Sequence, residues 1–178
     1  MKKLRYFFLI VLLMATAEPV HAADITVDTD GICTLANAII AANNNADEEG
    51  CVGSGLYGDD TIFLETDVIL EQGVNARPPI ITSITIEGQG HTIDGNGKLG
   101  YVLKINDKMG AGGPYYGNLT LNNATITGGN HSHDDTQLES NGGGICNGYE
   151  GILTLNNSTV SGNRAKGNGG GIFSNPRG

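Results

Sequence analysis

Basic residues are scarce in this chain of 178 residues, which carries 10 Lys and Arg against 19 Asp and Glu for a net charge of −9. An acidic balance of that size argues against nucleic acid or anionic lipid as a partner, because both repel a negative surface. Tryptophan is absent and cysteines number only three. No apolar run reaches the ~20 residues that a membrane-spanning helix needs. The longest, YFFLIVLLMATA, lies at the extreme N-terminus. Glycine is abundant at 28 residues, yet no Gly-X-Y period accompanies it, which excludes a collagen-like chain. Regular apolar residues between the glycines point instead to an ordered, turn-rich chain.

The N-terminal run has a basic head, MKKLR, and ends in the small-residue stretch EPVHA. That order reads as a secretory signal peptide over residues 1–22, cut after Ala22 or alternatively after Ala23. Cutting removes Lys2, Lys3, Arg5 and Glu18 and leaves the remainder more acidic still. No cysteine follows the cut, so a lipid anchor is not expected there. Residues 23–178 have the size of one domain. An exported chain meets oxidising conditions, and Cys33 and Cys51 bracket one short segment; they are the natural disulfide pair. Cys146 reads as a small buried apolar residue rather than a nucleophile.

One phrase occurs twice. LTLNNATITGGN at Leu119 returns as LTLNNSTVSGN at Leu153, 34 residues on, whereas NGGGICN at Asn141 returns as NGGGIFS at Asn168, 27 residues on. The difference marks an insertion of about seven residues, for which HSHDDTQLES (131–140) is the candidate. A third copy, ITIEGQGHTIDGNG, puts Ile84, Ile86 and Ile93 where the others have Leu119, Leu121 and Ile126, or Leu153, Leu155 and Val160. Ile105 follows Ile93 at the spacing by which Ile172 follows Val160. DTIFLET and ADITVDTD read as degenerate earlier copies. A unit of ~27 residues lies in the range of solenoid repeats. Inside each copy the apolar period is two, the mark of short half-buried strands, and GGN, SGN and NGGG supply tight corners. About three strands are expected per unit. Such a unit cannot bury its apolar face alone, so equivalent strands must stack in parallel, and parallel crossovers favour a right-handed coil.

The expected fold is therefore all-β, a right-handed parallel β-helix, with rungs from about residue 60 and an incomplete C-terminal end. Asn122 and Asn156, with Asn123 and Asn157 beside them, are expected to stack as side-chain ladders at one corner. One helix is expected, over about 34–45: Leu35, Ala38, Ile39 and Ala42 fall on one face, Thr34 caps the start and an Asn run stops it. It is expected to cover the N-terminal end of the coil.

The ordered series CTLANAIIAAN, DTIFL, ITIEGQGHTIDGNG, LTLNNATITGGN, NGGGICN, LTLNNSTVSGN and GNGGGI resembles bacterial surface proteins of the polymorphic outer-membrane and CSLREA type, which have pectin-lyase-like right-handed β-helices. The likeness runs from Cys33 to Ile172. It departs at the name motif, Cys-Ser-Leu-Arg-Glu-Ala, where this chain has Cys33, Thr34, Leu35, Ala36, Asn37 and Ala38 and lacks the charged pair. The resemblance implies export, secreted or held at the bacterial outer-membrane surface.

Pectin-lyase-like folds also house polysaccharide lyases and hydrolases. Those enzymes gather acids and a base on one exposed face. Here Arg77, Lys98, Lys104, Lys108, Arg164, Lys166 and Arg177 are scattered in sequence, and the Asn-Thr-Asp and Gly-His-Gly motifs of pectin hydrolases are missing. The expected function is accordingly a non-catalytic passenger or adhesion module, with no cofactor and no assigned catalytic residue. The alternatives are a carbohydrate-active lyase or hydrolase, or a non-functional gene fragment. Two insertions are the candidate recognition loops for a surface glycan or protein ligand. The first, about 106–118, holds Tyr115 and Tyr116, which suit stacking on a sugar or packing on the coil wall. The second holds His131, His133, Asp134 and Asp135. That set can ligate Zn²⁺ or another divalent ion, but polar text is ordinary in an inserted loop, and no metal is assigned. DTDG at Asp28 begins like a Ca²⁺ loop without its closing Glu, and Asp59 and Asp60 read as a turn before a strand. Self-association through the open C-terminal end is expected.

Overall fold

Where Leu, Ile and Val alternate with Thr, Ser and Asn, the backbone extends and puts the aliphatic side chains on one face. The computed structural model describes residues 22–55, 58–71, 77–98, 100–106, 116–132 and 141–175. Five segments of this alternating kind form the largest sheet: β1 (Asp24–Val27), β2 (Asp60–Leu64), β4 (Ser83–Glu87), β7 (Asn118–Asn122) and β11 (Ile152–Asn156), side by side in that order and parallel throughout. Ile25, Ile62, Ile86, Leu121 and Leu155 pair in succession across all five.

A second parallel sheet holds β3 (Val68–Ile69), β5 (Thr92–Asp94), β8 (Thr125–Thr127) and β12 (Thr159–Val160), in which Val68, Ile93, Ile126 and Val160 pair in turn. A third holds β6 (Leu103–Ile105), β10 (Ile145–Asn147) and β14 (Ile172–Ser174), and a two-stranded pair joins β9 (Asn130–His131) to β13 (Arg164–Ala165). Among the described residues the chain is all-β with one helix, and its sheets are parallel. Ile25, Ile62, Ile86, Ile93, Leu121 and Ile126 have no exposed surface and belong to one core. Each such aliphatic side chain is worth ~1.5–3 kcal/mol in transfer from water.

The helix α1 spans Leu35–Asn44. Thr34 accepts a hydrogen bond from Asn37 N as its N-cap, and Asn45 ends it in the left-handed conformation at φ 51°. Its buried residues are Leu35, Ala38, Ile39, Ala41 and Ala42, and it packs on β1 and β2. Asn43 donates from Nδ2 to Pro79 O at 2.7 Å and accepts from Ile81 N at 3.0 Å, tying the helix end to the approach to β4. Cys33 and Cys51 form a disulfide, with their Cα atoms 4.6 Å apart. The helix packs on β1 and β2, and strand pairing starts at Asp24, before the helix, in the segment ADITVDTD that reads as a degenerate copy.

Three expectations are corrected. Ile172 pairs with Ile145 and that with Leu103, so Leu103 and not Ile105 is its equivalent; the corner leading into β6 is two residues shorter than the one leading into β14. The later units carry a fourth strand, β9 or β13, too short to show alternation. Finally, Asn123 does not ladder with Asn157; its Nδ2 donates to Glu87 Oε1 at 2.8 Å. Asn123, Asn157 and Gln89 sit at φ 51°, 49° and 52°, a left-handed corner that asparagine tolerates. The ladder belongs to the neighbours: Asn156 Nδ2 donates to Asn122 Oδ1 at 2.9 Å.

Candidate functional site

Outward positions of the largest sheet are mostly Thr and Asn. Charge and aromatic character gather elsewhere, around Tyr101 at the entrance to β6. Gly100 exchanges two backbone hydrogen bonds with Asn130 (2.9 and 3.0 Å), joining this entrance to β9. Gly100 has φ 122°, and a Cβ there would lie 2.7 Å from Arg77 Nη1; lacking one, it lets the guanidinium pass behind the strand. Arg77 donates from Nη2 to Gly95 O at 3.2 Å. Burial pushes its pKa down, with Tyr101 pushing the other way; a guanidinium stays charged regardless.

The Tyr101 ring meets two further cationic or titratable groups. Lys104 Nζ lies 5.5 Å from its centroid, a cation–π arrangement, and His131 meets it edge-on with centroids 5.7 Å apart at 81°. His131 Nδ1 is 2.7 Å from Asn141 O. A carbonyl only accepts, so the neutral ring carries its proton on Nδ1 and leaves Nε2 as acceptor. Lys104 pairs with Cys146 and Cys146 with Phe173, the outward row of the third sheet. Cys146 is buried as expected, but on this outer row rather than in the core. Burial pushes its thiol pKa up and Lys104 opposes the shift. On the other side, Lys166 N donates to His131 O at 2.9 Å, and Arg164 pairs with Asn130. Arg77, Lys104 and His131, far apart in sequence, are thus brought around Gly100 and Tyr101, and Arg164 lies on the strand paired with β9.

Of the sequence-expected recognition residues, His131 lies in β9, paired with Ala165, and not in an inserted loop. The extra residues that shorten the second offset must then follow it, since Asn168 N already donates to Asn141 Oδ1 across the 27-residue spacing. Tyr116 is 61 % exposed and precedes β7. Gly117 behind it packs so closely on Ile80 O that a Cβ would collide, and Asn106 N is the next neighbour. Tyr116 therefore stands near the Asn106 end of β6 and His131 near the Tyr101 end. Tyr115, His133, Asp134 and Asp135 lie outside the described residues. Among the described residues no three His, Cys, Asp or Glu side chains converge as a metal site. No described helix is long and apolar enough to cross a membrane.

Two features escaped the sequence reading. A groove of about 330 Å³ runs between the start of α1 and β3, lined by Leu35, Asn37, Val68 and Ile69. Asp60, expected in a turn, is the first residue of β2 and fully buried. Its polarity suits an ordinary turn acid; the period of two with Ile62 and Leu64, and the pairing of DTIF with ITIE in which Asp60 falls opposite Ile84, place it on the core face. No protein-family model matches the chain, and neither a curated protein nor a solved structure does.

Proposed function

We propose that this chain is an exported, right-handed parallel β-helix that serves as a rigid adhesion or passenger module at or beyond the bacterial outer-membrane surface, without catalysis. The observation that carries the reading is the succession Ile25–Ile62–Ile86–Leu121–Leu155 in one parallel sheet, matched by Val68–Ile93–Ile126–Val160 in another. A chain that returns to the same columns at each pass is a coil, and coil stacks are stiff rods whose outer wall is free for contact. Export is supported by the basic head and apolar run of residues 1–22 and by the Cys33–Cys51 disulfide.

The contact face is the Tyr101, Lys104 and His131 group, with Tyr116 as a separate aromatic point. An aromatic ring flanked by cations suits a glycan, stacking on its apolar face while the cations meet its oxygens or acidic groups. The strands β11, β12, β13 and β14 are each paired on one side only, and Leu153, Leu155 and Val160 are half-exposed beside them. That edge is where a second copy would add.

The test is binding of the full-length, exported protein to a panel of neutral and acidic polysaccharides, with product analysis in parallel. Retention that falls at least tenfold in Tyr101→Ala and Lys104→Ala, without new reducing ends or unsaturated products, supports the reading. Turnover of any polysaccharide would replace it with the carbohydrate-active alternative.

A further inference from the structure

Asp60 stands in a core column. Its register partner is Ile84, followed by Leu119 and Leu153. A carboxylate at that place is out of keeping with its neighbours, and its surroundings are specific. Both Asp60 and Ala23 are 0 % exposed. Asp60 Oδ1 accepts from Ala23 N at 3.0 Å and from Gly58 N at 2.8 Å. Oδ2 is buried and has no hydrogen-bond partner among the described residues. Burial pushes the Asp60 carboxyl pKa up, the two N–H donors oppose this, and Asp59 adds to the rise. A buried carboxylate in this state costs several kcal/mol unless a cation joins it.

Ala23 N is fixed where such a cation would stand. Ala23 O accepts from Thr61 N at 2.9 Å, and the next residue, Asp24, exchanges hydrogen bonds of 3.1 and 2.9 Å with Ser54. An amide nitrogen offers Asp60 one proton. The same nitrogen as a free α-amine is protonated near neutral pH and offers three.

We propose that Ala23 is the mature N-terminus and that its ammonium, released by hydrolysis of the Ala22–Ala23 bond, is the buried counter-ion of Asp60. The inference rests on the export reading above. In the cleavage step a leader-removing endopeptidase directs one water across the bond: hydroxyl goes to the Ala22 carbonyl carbon, which leaves as a carboxylate, and Ala23 N gains a proton and then a second from solvent. The new group keeps its contact with Oδ1 and brings two further protons and a positive charge to the carboxylate whose Oδ2 is otherwise orphaned. A cut one residue later would delete the donor, so the geometry selects Ala22–Ala23 over Ala23–Asp24. The Ala23 side of the bond is buried in the folded chain, so cutting is expected to precede closure of β1 onto β2. A chain still bearing its leader keeps an uncompensated carboxylate in its core and stays weakly folded, which suits passage through an export channel.

The experiment uses the full-length gene exported and processed in a bacterial host, with and without two residues (Gly-Ser) inserted between Ala22 and Ala23, each with Asp60 or Asp60→Asn. Intact mass is expected to place the native N-terminus at Ala23. The insertion and Asp60→Asn are each expected to raise the unfolding equilibrium constant about 100-fold, the scale of one broken buried ion pair. In the insertion background Asp60→Asn is expected to cost nothing further. Labelling of the N-terminal amine by an acylating ester, which needs no stability comparison, is expected to be slow in the native processed chain and fast in the insertion chain. Equal cost of Asp60→Asn in both backgrounds, or fast labelling of the native chain, overturns the pairing while leaving export intact. A processed chain that begins elsewhere overturns the cut site. A chain that is never processed overturns the export reading itself.

Discussion

Truncating Ile126 and Val160 to alanine separates an interior strand from an edge one, because both residues sit in the same column. Ile126 is fully buried and has a register partner on either side, Ile93 and Val160. Ile126→Ala removes three carbons, about 2.4 kcal/mol in transfer. A residual cavity of ~50 Å³ adds about 1.2 kcal/mol. The expected loss is therefore about 3.5 kcal/mol. Val160 is half-buried and its strand is paired only with β8. Val160→Ala removes two carbons, already partly wet, for about 1 kcal/mol with no closed cavity. Urea unfolding of both variants at constant protein concentration, compared at equal m-value, measures the pair. Equal losses would refute the reasoning if they persist on dilution, since the β12 edge would then be as enclosed as the interior. Equal losses only at high concentration would instead reveal a second copy seated on that edge.

Cys33→Ala with Cys51→Ala is expected to lower stability by about 3 kcal/mol, the loop-closure entropy for an 18-residue separation, read as a shift in urea midpoint under oxidising conditions. Thr92 N–H and the His91 side chain hold the Asp67 carboxyl below its ordinary pKa. Its contribution is thus complete above the unfolded value of about 3.9 and is lost as pH falls through the lower folded value. Asp67→Asn is expected to flatten stability across that acid window and leave the slope near neutral pH unchanged. Cys146, buried with a raised pKa, is expected to resist a disulfide-exchange reagent at pH 7 and to react at once in urea; immediate reaction in the native protein would place its sulfur at the surface. Gly117→Ala is expected to disrupt β7 pairing, because the added carbon would collide with Ile80 O; an unchanged unfolding curve would contradict the close approach there.

Much of this architecture could be inferred from residue types because strand stacking repeats its constraints. Leu119, Leu121 and Ile126 are restated as Leu153, Leu155 and Val160 at one offset, and that offset is the register observed. The same logic fails where a segment is too short to alternate. β9 and β13 have two residues each, so nothing in Asn130–His131 or Arg164–Ala165 announces a strand, and His131 was absorbed into the polar text that follows it. Register at β6 was misjudged for a related reason. Leu103 and Ile105 face the same way, either fits the column by polarity, and only backbone pairing with Ile145 or Asn147 distinguishes them.

The cluster around Tyr101 is illegible in the sequence for a different reason. Periodicity reports which residues face the core; it is silent on which outward residues from separate passes become neighbours. Arg77, Lys104 and His131 are dispersed along the chain and meet around Gly100 and Tyr101 because the Gly100–Asn130 bridge holds the entrance to β6 beside β9. Asp60 is the converse case, an acid that polarity assigns to a turn and stacking assigns to the core. The register that makes Ile84 bury itself also buries Asp60. A carboxylate tolerated there has to be compensated by something fixed close by, and Ala23 N is the group that the neighbouring strand holds against it. The same in-register pairing thus acts in two places: it brings Lys104 and His131 to the Tyr101 ring, and it buries one acid among aliphatic side chains.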